Sequence, residues 1–156
     1  DEHPLRLDQY LAEFQKSTTR AQQVLFANHL SRRVTLSEAT SKVNYRPAIA
    51  NGLPPGYTVQ HVYLVRLCCC FCVQAVIATP HGRELVVMEH ASNQPVQYGE
   101  FPVVFCECNG KEIRIGQFGN QLIGTWTTGS RRVSVVGAEN LEQLVELMRQ
   151  LDQPVA

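Results

Sequence analysis

Six cysteines stand in two short windows of this chain. Cys68, Cys69, Cys70 and Cys72 fall within "RLCCCFCVQ", and Cys106 and Cys108 within "FCECNG". Thiolates that converge on one point select soft ions: Cu(I), Zn(II) or an iron–sulfur cluster. The spacing is not that of a zinc ribbon, which carries two C-x-x-C pairs. Cys69 and Cys72 give one C-x-x-C, whereas Cys106 and Cys108 give a C-x-C. Contiguous and alternate thiols suit Cu(I) better than mononuclear zinc. This reading takes Cys69, Cys70, Cys72, Cys106 and Cys108 as ligands of a soft metal, copper(I) or zinc, with Cys68 a further candidate.

Two other readings of the same thiols stay open. Disulfides between the windows are geometrically easier than within one, because positions i and i+2 of a strand sit near the upper limit for a bridge. Reduced thiols buried as small apolar side chains are the third reading. Thiol oxidoreductase chemistry is disfavoured. The residues after Cys72 read as strand, so no helix N-terminus is there to lower a thiol pKa.

The elements that must position these thiols follow from periodicity. Leu7, Leu11 and Phe14 form one helical stripe, and Thr19 with Gln22 matches a capping box opening a second helix. A third short helix is expected over Leu36 to Val43. Residues 1–45 therefore read as a helical segment that either packs on the rest or projects as a membrane-proximal stalk, and residues 46–156 as an α+β domain. From Tyr57 the period becomes two, with strands expected up to Arg66, over Phe71 to Thr79 and over Glu84 to Glu89. The "CCCFC" run falls where a turn is needed, yet it holds no Gly, Asn, Asp or Pro.

Asn109-Gly110 between alternating runs is a strong hairpin signal. A two-residue turn there pairs Cys108 with Lys111, Cys106 with Ile113 and Val104 with Ile115. Turns at "FGNQ" and "TTGSR" extend this register, pairing Gln117 with Leu122 and Trp126 with Val133. One face of the meander is apolar. The other carries Glu107, Glu112, Arg114, Thr125, Arg132 and Ser134, so a single buried face is expected. Leu141, Leu144, Val145, Met148 and Leu151 form a helical stripe ended by Pro154. The expected fold is α+β: a mainly antiparallel sheet of six to seven strands, a C-terminal helix across one face, and N-terminal helices.

Composition narrows the function. Fourteen basic against fourteen acidic side chains leave no net charge, which removes the electrostatic footprint of a nucleic-acid binder. Hydrophobic content of 44% argues against disorder. No run of about 18 apolar residues is present to span a membrane. The opening "DEHPLRL", without Met, reads as a trimmed or mature segment of something longer. No G-x-S-x-G, H-E-x-x-H or P-loop occurs, and no acid–base pair stands out, so the reading is not an enzyme. His61 reads as a core or edge histidine, His81 and His90 as turn residues, His3 and His29 as isolated. Trp126 reads as core, and Arg131 and Arg132 as solvated turn charges.

"YRPAIANGLPPGYTVQHVYLV" resembles the F-x-P…L-P-x-G-Y-x-h-x-x-V stretch (h, apolar) in extracytoplasmic domains of bacterial membrane-anchored anti-sigma factors. "GTWTTGSRRVSVVGAENLEQLVELMRQL" is similar to the W-x-x-G…hhG-x-x-x-x-x-x-L ending of those domains, and "CCCFCVQAV" resembles a Cys-rich stretch in a subset of them. The resemblance spans most of Val43 to Leu151. It implies a sensor or regulatory domain on the periplasmic side of a single-pass inner-membrane protein. In that family the sigma factor is held by a cytoplasmic part. This chain shows neither its H-x-x-x-C-x-x-C motif nor the spanning helix, so no residue here carries that role. The expected function is metal or redox sensing through the cysteine cluster. The alternatives are a disulfide-stabilised or thiol-core protein-interaction domain, or a periplasmic copper-handling protein.

Overall fold

The computed structural model describes residues 4–153; His3 and Pro154 lie outside the described residues. The fold is α+β, built on an eight-stranded antiparallel sheet with the order β2-β3-β4-β5-β10-β9-β8-β7. The strands are β2 (Ser31–Val34), β3 (Thr58–Arg66), β4 (Phe71–Ala78), β5 (Glu84–Ala91), β7 (Val103–Cys108), β8 (Lys111–Phe118), β9 (Gln121–Thr128) and β10 (Arg131–Ala138). Two short strands, β1 (Leu5–Arg6) and β6 (Val96–Gln97), pair in parallel apart from it. The helices are α1 (Asp8–Phe14), α2 (Thr18–Asn28), α3 (Leu36–Val43) and α4 (Leu141–Leu151), with a 3-10 turn at Ala48–Asn51. None is long and apolar enough to cross a membrane.

The expected hairpin pairings all occur: Cys108 with Lys111, Cys106 with Ile113, Val104 with Ile115, Gln117 with Leu122 and Trp126 with Val133. Asn109 and Gly110 both take positive φ, 56° and 77°. That is the twist a two-residue hairpin turn requires, and few residues other than Asn and Gly tolerate it.

Both faces of the sheet are covered, not one. On the first, α4 lays Leu144, Leu147, Met148 and Leu151 over Ile113, Trp126, Val133 and Val135. Burying each such side chain contributes about 1.5–3 kcal/mol. Leu141, expected in this stripe, is exposed, and Leu147 takes the core position. Gly124 lets the helix in: a Cβ there would lie 2.7 Å from Leu144 Cδ1. Thr35 opens α3 with a full capping box, its hydroxyl and the Glu38 carboxylate each bonding the other's backbone N–H.

On the second face, Leu7, Tyr10, Leu11, Phe14, Ala21 and Leu25 share one apolar cluster with Val65, Cys72, Val76, Val86, Met88 and Val136. Within the segment 1–45, for which the sequence leaves packing and projection both open, residues 5–25 thus pack onto the sheet. The segment also contributes strand β2, hidden in the polar string "SRRV". The polar look of the second face has a physical resolution. Gln74 is fully buried, but its side-chain amide bonds that of Gln22 on α2, which accepts from the Tyr10 hydroxyl at 2.8 Å. Thr125 and Ser134 are buried and bond each other at 2.8 Å, and Tyr98 caps Thr125. At these positions the polar groups satisfy one another, so Gln74, Thr125 and Ser134 are buried without orphaned groups.

The helix start expected from Thr19 and Gln22 is corrected. The N-cap of α2 is Ser17, whose hydroxyl accepts from Arg20 N–H at 3.1 Å. Thr19 lies inside the first turn, and Gln22 serves the buried network instead.

Candidate functional site

The first thiol window is the corner between β3 and β4. Arg66 pairs with Phe71, and Leu67 N–H donates to the Cys70 carbonyl at 2.8 Å, so Cys68 and Cys69 form the tip. None of these residues takes positive φ. The absence of Gly and Asn in "CCCFC" is therefore consistent with the backbone the turn adopts.

The four thiols face different surroundings. Cys68 and Cys69 are exposed, Cys70 is half-buried and Cys72 is buried. Cys69 Sγ donates to Gln94 Oε1 at 3.4 Å, and Cys72 Sγ to its neighbour's carbonyl, Val73 O, at 3.7 Å. Burial pushes the Cys72 thiol far above its ordinary range, against a backbone contact at Glu89. Burial also raises Cys70, opposed by a backbone contact at Ala91 and reinforced by Cys69. These two are thiols, not thiolates, near neutral pH.

The second window does not join the first. Cys72 and Cys70 belong to the face covered by α1 and α2. Cys106 and Cys108 pack on the opposite face, beneath α4. Five strand spacings separate β4 from β7 in the sheet order, roughly 24 Å along the sheet. The set Cys69, Cys70, Cys72, Cys106 and Cys108 is thus not gathered at one point. Among the described residues, no three His, Cys, Asp or Glu side chains are placed to hold a metal ion, and all six thiols are free. The physical reason lies in strand order. β10 returns to pair with β5, which sends the β7–β8 hairpin to the far edge.

Sequence reasoning missed two arrangements. His90, read as a turn residue, is a buried strand residue directly opposite Arg132. Burial holds its imidazole below the ordinary value, opposed by the hydrogen bond to the Ala91 carbonyl and reinforced by the Arg132 charge. Glu89 and Arg131, 3.2 Å apart, form an ion pair whose carboxylate is 2% exposed. The only sequence signal for either was strand alternation continued past Glu89.

The corner is tied to the N-terminal layer by backbone. Arg66 N–H donates to the Leu30 carbonyl at 2.7 Å, and Ser31 pairs with Val65. Leu30 lies two residues beyond the end of α2. Phe26 of α2 also packs on Tyr63, with ring centroids 5.0 Å apart. The strand end that leads into the turn at Cys68–Cys69 is thus hydrogen-bonded to the exit of α2.

No family, curated protein or solved structure matches the chain.

Proposed function

We propose that this chain is a non-enzymatic regulatory domain, of the kind borne outside the membrane by membrane-anchored anti-sigma factors. In this reading the β3–β4 thiol corner senses a soft metal or a thiol oxidant, and α1–α2 carries the response. One observation carries it: the corner's Arg66 is hydrogen-bonded to Leu30 at the exit of α2, while Cys70 and Cys72 pack with both helices in one apolar cluster. The family motifs in "YRPAIANGLPPGY" and the C-terminal segment support the class.

The sensing chemistry is narrowed to the first window. Exposed Cys68 and Cys69 are where a thiophilic reagent arrives, and contiguous thiols suit low-coordinate Cu(I). Seating an ion there draws Cys70 and the turn outward. That biases the docking of Leu25 and Phe26, the two-state element the reading requires. Cys106 and Cys108 take no part.

The test is hydrogen exchange across α1 and α2, with and without Cu(I), under anaerobic conditions. Cu(I) should lower amide protection in residues 20–30. The variant Cys68→Ser/Cys69→Ser/Cys70→Ser should abolish both uptake and the exchange change, while Cys106→Ser/Cys108→Ser keeps both. Uptake retained by the triple variant, or uptake with unaltered exchange in α2, overturns the reading.

A further inference from the structure

Towards β7, the face that carries α1 and α2 opens into a cleft of about 350 Å³. It is lined by Phe105, Glu112, Arg114, Thr125, Thr127 and Arg132. Register explains the grouping. Arg114 on β8 pairs with Thr125 of β9, and Arg132 on β10 pairs with Thr127 of β9. Both arginines thus flank the two threonines from opposite sides. Phe105 stands across from Arg114 on the edge strand β7 and is 62% exposed.

The arginines are fixed but not neutralised. Arg114 Nη2 donates to the Val96 carbonyl at 2.6 Å, and its guanidinium lies 4.2 Å over the Tyr98 ring. Arg132 Nη2 donates to the Ser92 carbonyl at 2.6 Å. These contacts clamp the 92–96 loop and use a minority of each guanidinium's five N–H donors. Among the described residues neither arginine forms an ion pair, and the Nε of each has no hydrogen-bond partner. Lys111, at the end of the same cleft, is already paired with Asp152 at 2.8 Å.

Two like charges held at one cleft repel each other, and the single carboxylate in the lining, Glu112, pairs with neither of them. The Arg132 pKa is lowered first by burial and then by the Arg114 charge, opposed by Tyr98. An anion between them would relieve that repulsion and accept strong charge-assisted hydrogen bonds in a planar geometry. Glu112, on the same cleft, offsets one of the two positive charges. Glu107, opposite Glu112 on the same face, lies outside the lining, so the cleft itself keeps one positive charge and suits a monoanion better than a phosphate dianion. The exposed Phe105 ring adds an apolar wall beside the charged floor.

We infer that this cleft binds a small organic monoanion, a carboxylate held between Arg114 and Arg132 with a flat apolar group against Phe105. The site is separate from the thiol corner and independent of how the corner works.

The probe is benzoate, set against its neutral isostere benzamide, in a two-dimensional amide NMR titration. Benzoate should give saturable shifts at Thr125, Thr127 and Arg132 in the millimolar range, and benzamide none. Glu112→Gln removes the opposing carboxylate without touching a clamp, and should tighten benzoate several-fold. Arg132→Gln should weaken it about tenfold. Equal shifts with benzamide, shifts confined to residues away from the cleft, or no saturable shift overturns the proposal. So does a benzoate affinity unchanged by Glu112→Gln.

Discussion

Glu89 Oε1 accepts a 2.6 Å hydrogen bond from the backbone N–H of Ala48, joining the middle of the sheet to the start of the 3-10 turn. The second carboxylate oxygen lies 3.2 Å from Arg131 Nε. Arg131 in turn donates to the Arg46 carbonyl and lies 4.8 Å over the Tyr45 ring. One buried carboxylate therefore organises the whole 45–48 segment that leads from α3 onto the α4 face.

Removing this carboxylate should loosen that segment. Glu89→Ala leaves the Ala48 donor and the Arg131 charge without their partner, and should cost about 3 kcal/mol in urea denaturation. Destabilisation below about 1 kcal/mol would show that water replaces the carboxylate.

Glu89 also sets a pH dependence with a definite sign. Burial raises its pKa above the ordinary 4.5, outweighing the opposing effects of the Ala48 hydrogen bond and Arg131. The folded state then binds the proton more tightly than the unfolded state. Its stabilising contribution is full below 4.5 and is lost as pH rises through the folded-state value. Denaturation of the wild type and Glu89→Gln across pH 4 to 8 reads this directly. The wild type should lose ground to the glutamine variant as pH rises. A gap that widens in favour of the wild type would mean the Arg131 pairing outweighs burial.

The buried amides of Gln22 and Gln74 couple the α1–α2 layer to the sheet. Gln74→Leu alone strands Gln22 and weakens the Tyr10 hydroxyl's environment, and should cost about 2 kcal/mol. Adding Gln22→Leu should cost less than the sum of the single changes, because an apolar pair leaves fewer orphaned groups. A double-mutant cycle on chemical denaturation measures the coupling, and strict additivity would remove the network from the account.

The four corner cysteines should alkylate in a fixed order. Cys68 and Cys69 are exposed, Cys70 is half-buried with its thiol pushed up, and Cys72 is buried with its thiol pushed up further. Reactivity follows the thiolate fraction and access. Iodoacetamide at neutral pH, followed by peptide mass analysis, should label Cys68 and Cys69 first, Cys70 slowly, and Cys72 only on unfolding. Early labelling of Cys72 would mean the corner opens in the native state.

What the sequence made legible divides along a physical line. Local features carry their own signal: Asn109-Gly110 names its turn and therefore the register of β7 and β8, and period two identifies the meander. The order of hairpins in the sheet has no such signal. It depends on β10 pairing with β5, whose partners lie 40 (Arg131 and Ala91) to 50 (Val136 and Val86) residues apart, and that choice separates the two thiol windows. The covered second face was hidden for a related reason. Gln74, Thr125 and Ser134 look solvent-facing in a one-dimensional pattern, and only their buried hydrogen bonds, Gln74 to Gln22 and Thr125 to Ser134, make them core residues. The short edge strand β2 was masked by its two arginines, which suit an exposed edge.

The start of α2 separates a sequence pattern from the structure that replaced it. Ser17 and Thr19 are both capping residues by type, and Thr19 has Gln22 three places on. Only one of them can occupy the extended conformation before the first helical residue, and Ser17 does so with φ −168° and ψ 153°. Glu13 favours that choice, because its backbone carbonyl accepts from Ser17 N–H at 3.1 Å and ends α1 there. Ser17→Ala should then cost about 1 kcal/mol. Thr19→Ala, inside the first turn, should cost little or be slightly stabilising, because alanine has the better helix propensity. Thermal denaturation of the two variants side by side decides it. A larger loss in Thr19→Ala than in Ser17→Ala would move the cap two residues on, and with it the length of the α1–α2 connection.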